Sequence, residues 1–305
     1  MKKAPPKPTI SQLLWLPLAA GAAVLLALAL LLPKPEPPAA PAPTIIMPLP
    51  EVPYDSYPLV AHALGPVDGR DYVPCLEGFL ENYELGYRVF ECDFLLTADG
   101  EVVLRHDWAS PLQEGIDEEN VPTLEEFLST PILDTYTPLS FRDLLRLMED
   151  YPDIWIITDS KYTDQETVAA QFAAMAETAA SMNRDFLLDR MVIQVYSPEM
   201  QDTVESVRHF DHYLLTLYQT EFYGETEILE KYALEAARRD MDGLVMFHFL
   251  YDEAWLPLLE ELDLRLYVHT VADAQQAQGL LDRGVWGVYA DGVDPAAVRR
   301  PLGKG

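Results

Sequence analysis

Short runs rich in β-branched and aromatic residues alternate with helix-patterned stretches from residue 57 to residue 291, and this alternation limits the chain to few folds. The β-rich runs are YPLVAHA (57–63), YRVFECDFL (87–95), DIWIITDS (153–160), MVIQVYS (191–197), HYLLTLY (212–218), GLVMFHF (243–249), RLYVHTV (265–271) and VWGVYAD (285–291). Between several of them the apolar residues recur at helical spacing. Residues 74–86 place Leu76, Phe79, Leu80 and Tyr83 on one face, with Gly86 as a stop. Segments 139–150, 164–182, 225–239 and 272–283 also read as helices. Asp99-Gly100 reads as a tight turn that returns the chain through 101–105 as an excursion after the second strand. Eight β-α units predict an α/β fold, a (β/α)8 TIM barrel. An open doubly wound sheet is the alternative, but the chain lacks a Gly-rich dinucleotide fingerprint.

The N-terminal part reads differently. Residues 11–33 run without a charge, about the length that spans a bilayer as a helix. Residues 1–10 form a basic tail with Lys2, Lys3 and Lys7, which places the N-terminus in the cytoplasm. A cleaved signal peptide is the rival reading, since small residues surround Ala40 and Ala42. The apolar run is nevertheless longer than the ~7–15 residues usual in such peptides. Residues 34–56 are Pro-rich and predict an extended spacer. The expected organisation is therefore a basic tail (1–10), a transmembrane signal-anchor helix (11–33), a linker (34–56) and a barrel (57–305). Its location is a cell membrane, single-pass, with the domain extracytoplasmic.

Charge excludes one class of partner. Lys and Arg number 21 against 50 Asp and Glu, a formal net charge of −29. No basic surplus exists to hold nucleic acid through its phosphates. Two cysteines, Cys75 and Cys92, make neither a disulfide framework nor a Cys-based zinc site. A single bridge between them is open, and two buried thiols are the expected state.

The polar residues at strand ends carry the chemistry, because barrel active sites sit at the C-terminal ends of the strands. His62 ends the first strand. Glu91 and Asp93, two apart, point to one face of the second. His106 follows the hairpin, Asp159 ends the third strand and Lys161 comes two residues later. Gln194, His269 and Asp291 sit at later strand ends. Singly each is weak: a strand-end His is commonly structural, and a strand-end Asp commonly caps a helix. Together the barrel would converge them. Three carboxylates without cysteine suit one hard divalent cation, Ca²⁺ or Mg²⁺. Two histidines beside it suit acid–base work, and a lysine suits a phosphate.

AHALG, FECDFLLTADGEVVLRHD and ITDSK resemble the glycerophosphodiester phosphodiesterases, TIM-barrel relatives of the phosphatidylinositol-specific phospholipases C. The resemblance covers roughly residues 58–295, and its specific part is 86–108. It implies catalytic roles for His62 and His106, metal binding by Glu91, Asp93 and Asp159, and phosphate binding by Lys161. It also implies a small-molecule or lipid-derived phosphodiester as substrate. The implied reaction passes through a cyclic phosphate, with the two histidines exchanging roles between its formation and its opening. The family usually reads His-Arg-Gly where this chain has His62-Ala63-Leu64, and usually has Glu where it has Asp159. Ala63 therefore leaves open a barrel without turnover that serves as an envelope-binding or scaffold module. A sugar hydrolase with paired carboxylates is a third reading, but it leaves two histidines unused.

Overall fold

The computed structural model of the chain describes residues 49–301. The expected anchor helix 11–33 and the basic tail lie outside the described residues. Among the described residues no helix is long and apolar enough to cross a membrane.

The eight expected strands form and close on themselves. They are β1 (Leu59–Ala61), β2 (Val89–Leu96), β4 (Trp155–Asp159), β5 (Met191–Val195), β6 (Tyr213–Thr216), β7 (Gly243–Phe247), β8 (Arg265–Val271) and β9 (Gly287–Ala290). All pair in parallel with their neighbours, and β1 pairs with both β9 and β2, which shuts the barrel. The excursion strand β3 (Val102–Leu104) runs antiparallel to the end of β2. Its turn is held by Thr97, whose hydroxyl donates to Asp99 Oδ1 at 2.6 Å, while Gly100 N–H donates to Thr97 O. Thr97 and Asp99 therefore build the turn.

Helices cover the outside. The chain forms α1 (Leu76–Leu85), α2 (Leu124–Ser129), α3 (Phe141–Asp150), α4 (Gln165–Met182), α5 (Pro198–Val207), α6 (Thr226–Arg238), α7 (Leu256–Glu261) and α8 (Ala274–Asp282). Each of the five helices expected from the sequence is among them. Their ends obey capping chemistry. Ser140 with Asp143 closes a reciprocal cap at the start of α3, and Gly86 takes the left-handed conformation after α1.

Strand alternation sorts two cores. Phe90, Cys92 and Phe94 of β2 face the helices and join a large outer cluster with Phe79, Phe141 and Ile156. Val89 faces inward and joins Val60, Ile157, Val192, Leu214 and Val245 in the barrel interior. Glu91 and Asp93 continue that inward row. The lower end of the barrel is plugged by Tyr54, whose ring packs on Trp155 and Tyr267. The packed body thus begins a few residues before residue 57. Val52 O accepts from the Trp155 indole at 3.0 Å, and Asp55 pairs with Arg265 at 2.8 Å. The end of the Pro-rich stretch is part of the domain, because its aromatic and acidic residues find partners at the barrel floor.

Cys75 and Cys92 are both free and buried. Cys75 Sγ accepts the Gly78 N–H as the N-cap of α1, and burial pushes its thiol up to about 12. Neither cysteine is a reactive thiolate.

Candidate active site

The upper rim gathers the polar strand ends in one place. Register aligns Asp93 on β2 with Asp159 on β4, and Glu91 lies one inward position below Asp93. One oxygen from each of the three carboxylates lies within 4.8 Å of the others. All three side chains are buried, which is costly for charge without compensation. Compensation is uneven. Asp159 receives the hydroxyls of Tyr196 and Tyr218, the latter at 2.8 Å from Oδ2, and the Lys161 ammonium at 2.6 Å. Burial alone would raise its carboxyl, but Lys161 and the two phenols outweigh burial and hold it below its ordinary value. Asp93 Oδ1 has only Lys161 Nζ, at 2.7 Å, and its other oxygen has no hydrogen-bond donor. Glu91 Oε2 accepts Ala63 N–H at 2.8 Å, while Oε1 is buried with no donor. Burial first, and Asp93 second, push the Glu91 carboxyl up to about 8.

Orphaned, buried carboxylate oxygens converging on one point fit a hard divalent cation. Glu91, Asp93 and Asp159 are the residues that would hold it. Lys161 offsets part of the negative charge. An ammonium has three donors, and two of them face Asp93 and Asp159, so one is left over.

His62 adjoins this cluster through its turn, and His106 stands on the other side of the Tyr72 ring, which contacts both imidazoles. His62 opens a sharp turn in which Ala63, Leu64 and Gly65 all have positive φ. Only glycine fits at 65, because a Cβ there would lie 2.3 Å from the Asn82 side chain. This turn aims the Ala63 N–H at Glu91. His62 Nδ1 lies 2.9 Å from Asp291 Oδ1 at the rim beyond β9. Burial would lower its imidazolium, but the Asp291 hydrogen bond and the charges of Glu91, Asp291 and Asp93 outweigh it and raise His62 to about 9. His106 Nδ1 lies 2.6 Å from Asp107 Oδ2. Asp107 is itself fixed by the Ser110 N–H and hydroxyl. Both imidazoles are thus oriented by a carboxylate at Nδ1, which leaves Nε2 for proton exchange.

Several residues in this arrangement have no clear signal in the sequence. Arg105 is fully buried, and its guanidinium donates to the carbonyls of Asp107 and Ser110, fixing the loop that carries His106. Tyr196 and Tyr218 reach Asp159 from β5 and β6. Asp291 is legible only as a strand end. Tyr72 stands with its ring edge-on to both His62 and His106, at centroid distances of 4.9 and 5.0 Å. Two other strand-end residues take structural places. Gln194 accepts from the Tyr289 hydroxyl at 2.9 Å. His269 packs on Tyr218 and Phe247, and burial lowers it to about 4, so it stays neutral.

Residues 74–295 match the model of the glycerophosphoryl diester phosphodiesterase family. The chain belongs to that family. It is accordingly an enzyme of the phosphoric diester hydrolase type. No curated protein matches the chain. Solved structures do. A Silicibacter pomeroyi protein assigned as a glycerophosphoryl diester phosphodiesterase superposes with a TM-score of 0.63 at 16% identity, over 79% of this chain and 91% of that one. A phosphodiesterase of Oleispira antarctica, solved with the product sn-glycerol-3-phosphate, gives 0.62 at 15% identity, over 78% and 94%. A glycerophosphodiester phosphodiesterase of Parabacteroides distasonis gives 0.60 at 16% identity, over 78% and 93%. At such identities these likenesses speak for the barrel fold, and the family membership comes from the sequence match.

Proposed function

We propose that this family member hydrolyses a glycerophosphodiester to glycerol phosphate and an alcohol, using His62 and His106 beside a divalent ion, Ca²⁺ or Mg²⁺, held by Glu91, Asp93 and Asp159. One observation carries the reading: a buried carboxylate triad with unpartnered oxygens lies beside His62, and a second carboxylate-backed imidazole, His106, shares the Tyr72 ring with it. The bound ion would supply Lewis acidity and offset developing negative charge on the phosphoryl oxygens.

The remaining chemistry belongs to side chains. His106 Nε2 accepts the proton of the glycerol hydroxyl next to the phosphate, and that oxygen forms a bond to phosphorus. The bond from phosphorus to the alcohol oxygen breaks, and His62 Nε2 gives that oxygen its proton. The product is a cyclic phosphate. Water then adds to phosphorus with roles reversed: His62 takes a proton from water, the bond from phosphorus to the ring-closing glycerol oxygen breaks, and His106 returns a proton to that oxygen. His62 is assigned the acid role in the first step, with its Nδ1 held by Asp291 and its Nε2 free to give the proton. The Asp291 hydrogen bond is the first of the influences raising the His62 value, and Asp291 is not among the carboxylates proposed to hold the ion. The remaining N–H of Lys161 meets a phosphoryl oxygen.

This assignment fixes a pH dependence. Turnover falls as pH rises through the His62 value, which the Asp291 hydrogen bond holds above the ordinary imidazole range, because the acid form is lost. Asp291→Asn removes the charge that raises His62, so this limb moves to lower pH. A limb that stays in place in Asp291→Asn assigns the acid to another group. The reading as a whole is tested by phosphorus NMR of the products: glycerol phosphate is expected, and a phosphorylated alcohol with free glycerol contradicts it.

We further infer a membrane anchor in residues 11–33, with the barrel on the extracytoplasmic side. The lysines before the apolar run and the Pro-rich spacer after it support this. Pelleting of the full chain with membranes, lost on deletion of 11–33, is the expected result, and unchanged pelleting contradicts it.

A further inference from the structure

Tyr72 is placed where a side chain needs a reason. It sits in the loop between β1 and α1 with φ of +57°, a conformation that strains a bulky residue. The loop around it is held firmly. Val67 and Arg70 exchange backbone hydrogen bonds, the Tyr136 hydroxyl donates to Asp68 Oδ2 at 2.7 Å, and Val67, Val73 and Ile132 form a small core beneath. Burial does not explain the strain, since Tyr72 is 43% exposed. Its ring meets His62 at 86° and His106 at 77°, and among the described residues no other aromatic ring contacts both. The strained backbone therefore delivers one phenol to the gap between the two proton-exchanging groups.

That gap is where the reacting phosphorus belongs, because one imidazole serves the attacking oxygen and the other the leaving oxygen. A phosphodiester brings two non-bridging oxygens to it. Lys161 has one N–H to spare, and Ala63 offers no side-chain donor. We propose that the Tyr72 hydroxyl donates a hydrogen bond to a non-bridging phosphoryl oxygen of the substrate, making Tyr72 a substrate-binding residue of this site. The inference builds on the phosphodiesterase reading. Burial, then the charges of Asp291 and Asp93, hold the phenol above its ordinary value, so it keeps its proton and acts as a donor.

Tyr72→Phe and Tyr72→Ala test this in the full chain. The readouts are kcat and KM for a glycerophosphodiester, together with calorimetric binding of glycerol phosphate in the presence of divalent ion. A hydrogen bond to a charged oxygen is involved, so Tyr72→Phe is expected to weaken glycerol phosphate binding and lower kcat/KM by about 10-fold or more. The shape of the pH profile is unchanged, because the imidazole–carboxylate pairs are untouched. Tyr72→Phe that binds and turns over as wild type overturns the proposal: with only Tyr72→Ala impaired, the ring is a spacer between the histidines. Tighter binding in both variants also overturns it and makes the ring an obstruction. A wild type that turns over but shows this pattern leaves the phosphodiesterase reading standing. A wild type that neither turns over nor binds removes both.

Discussion

His62→Ala and His106→Ala are each expected to lower turnover by at least ~10²-fold, the usual worth of one positioned acid or base. In the proposed mechanism both imidazoles are needed in both steps, as acid in one and base in the other. Losing both should therefore cost little more than losing one, because either loss already breaks the proton relay. Folding should survive. The His62 side chain is 11% exposed and that of His106 37%, and both stand at the rim with carboxylate partners. Steady-state rates on one diester, beside thermal unfolding curves, decide the matter. Wild-type-like turnover in either single variant would remove that histidine from the mechanism.

Asp93→Asn is expected to lower turnover on the order of 10³-fold, since a metal ion supplies several kcal/mol of charge stabilisation in such a reaction. Its effect on stability should depend on the metal. Asp93 is the first charge raising its neighbour Glu91, and one of its own oxygens has no donor. Replacing it relieves the repulsion on Glu91 but also removes a charge paired with Lys161 at 2.7 Å, so the metal-free variant should unfold close to wild type. Wild type should gain about 2.7 kcal/mol from metal at 100 times Kd, and the variant little. Thermal unfolding with a chelator and then with Ca²⁺ or Mg²⁺ reads both effects. An equal gain in wild type and variant would place the ion elsewhere.

The barrel was legible because local pattern and fold agree. The inward row Val89, Glu91, Asp93 and the outward row Phe90, Cys92, Phe94 can be read from strand alternation alone, and the structure keeps both rows. The short helices α2 and α5 carried weaker signals. Thr123 with Glu126 forms a capping box before α2, but its six residues hold too few turns for apolar periodicity to stand out, and α5, opened by Ser197-Pro198, buries only Met200, Gln201 and Val204, too few apolar positions to mark a stripe. Tyr54 was hidden in a Pro-rich context whose composition points to a spacer. Its neighbours at the barrel floor come from β4 and β8, which only closure brings together.

The site divides along the same line. Glu91, Asp93, His106 and Asp107 lie close in sequence, so their motif could be read. Asp291 meets His62 across 229 residues, and Tyr218 meets Asp159 across 59. Such partners arise from the angular placement of strands around the barrel. Tyr72 is the extreme case, because its role depends on a left-handed backbone that no residue type in the loop announces. The carboxylates that orient both histidines, and the phenols that hold Asp159, are consequences of assembly.

The central claim is that one rim site joins a divalent ion, two imidazoles and a glycerophosphodiester. The measurement that tests it most directly is release of glycerol phosphate by the purified protein from a panel of glycerophosphodiesters, with Ca²⁺, with Mg²⁺ and with chelator. The account predicts release that requires the ion and disappears in the His62→Ala/His106→Ala double variant. Release that persists with chelator, or in the double variant, would contradict it.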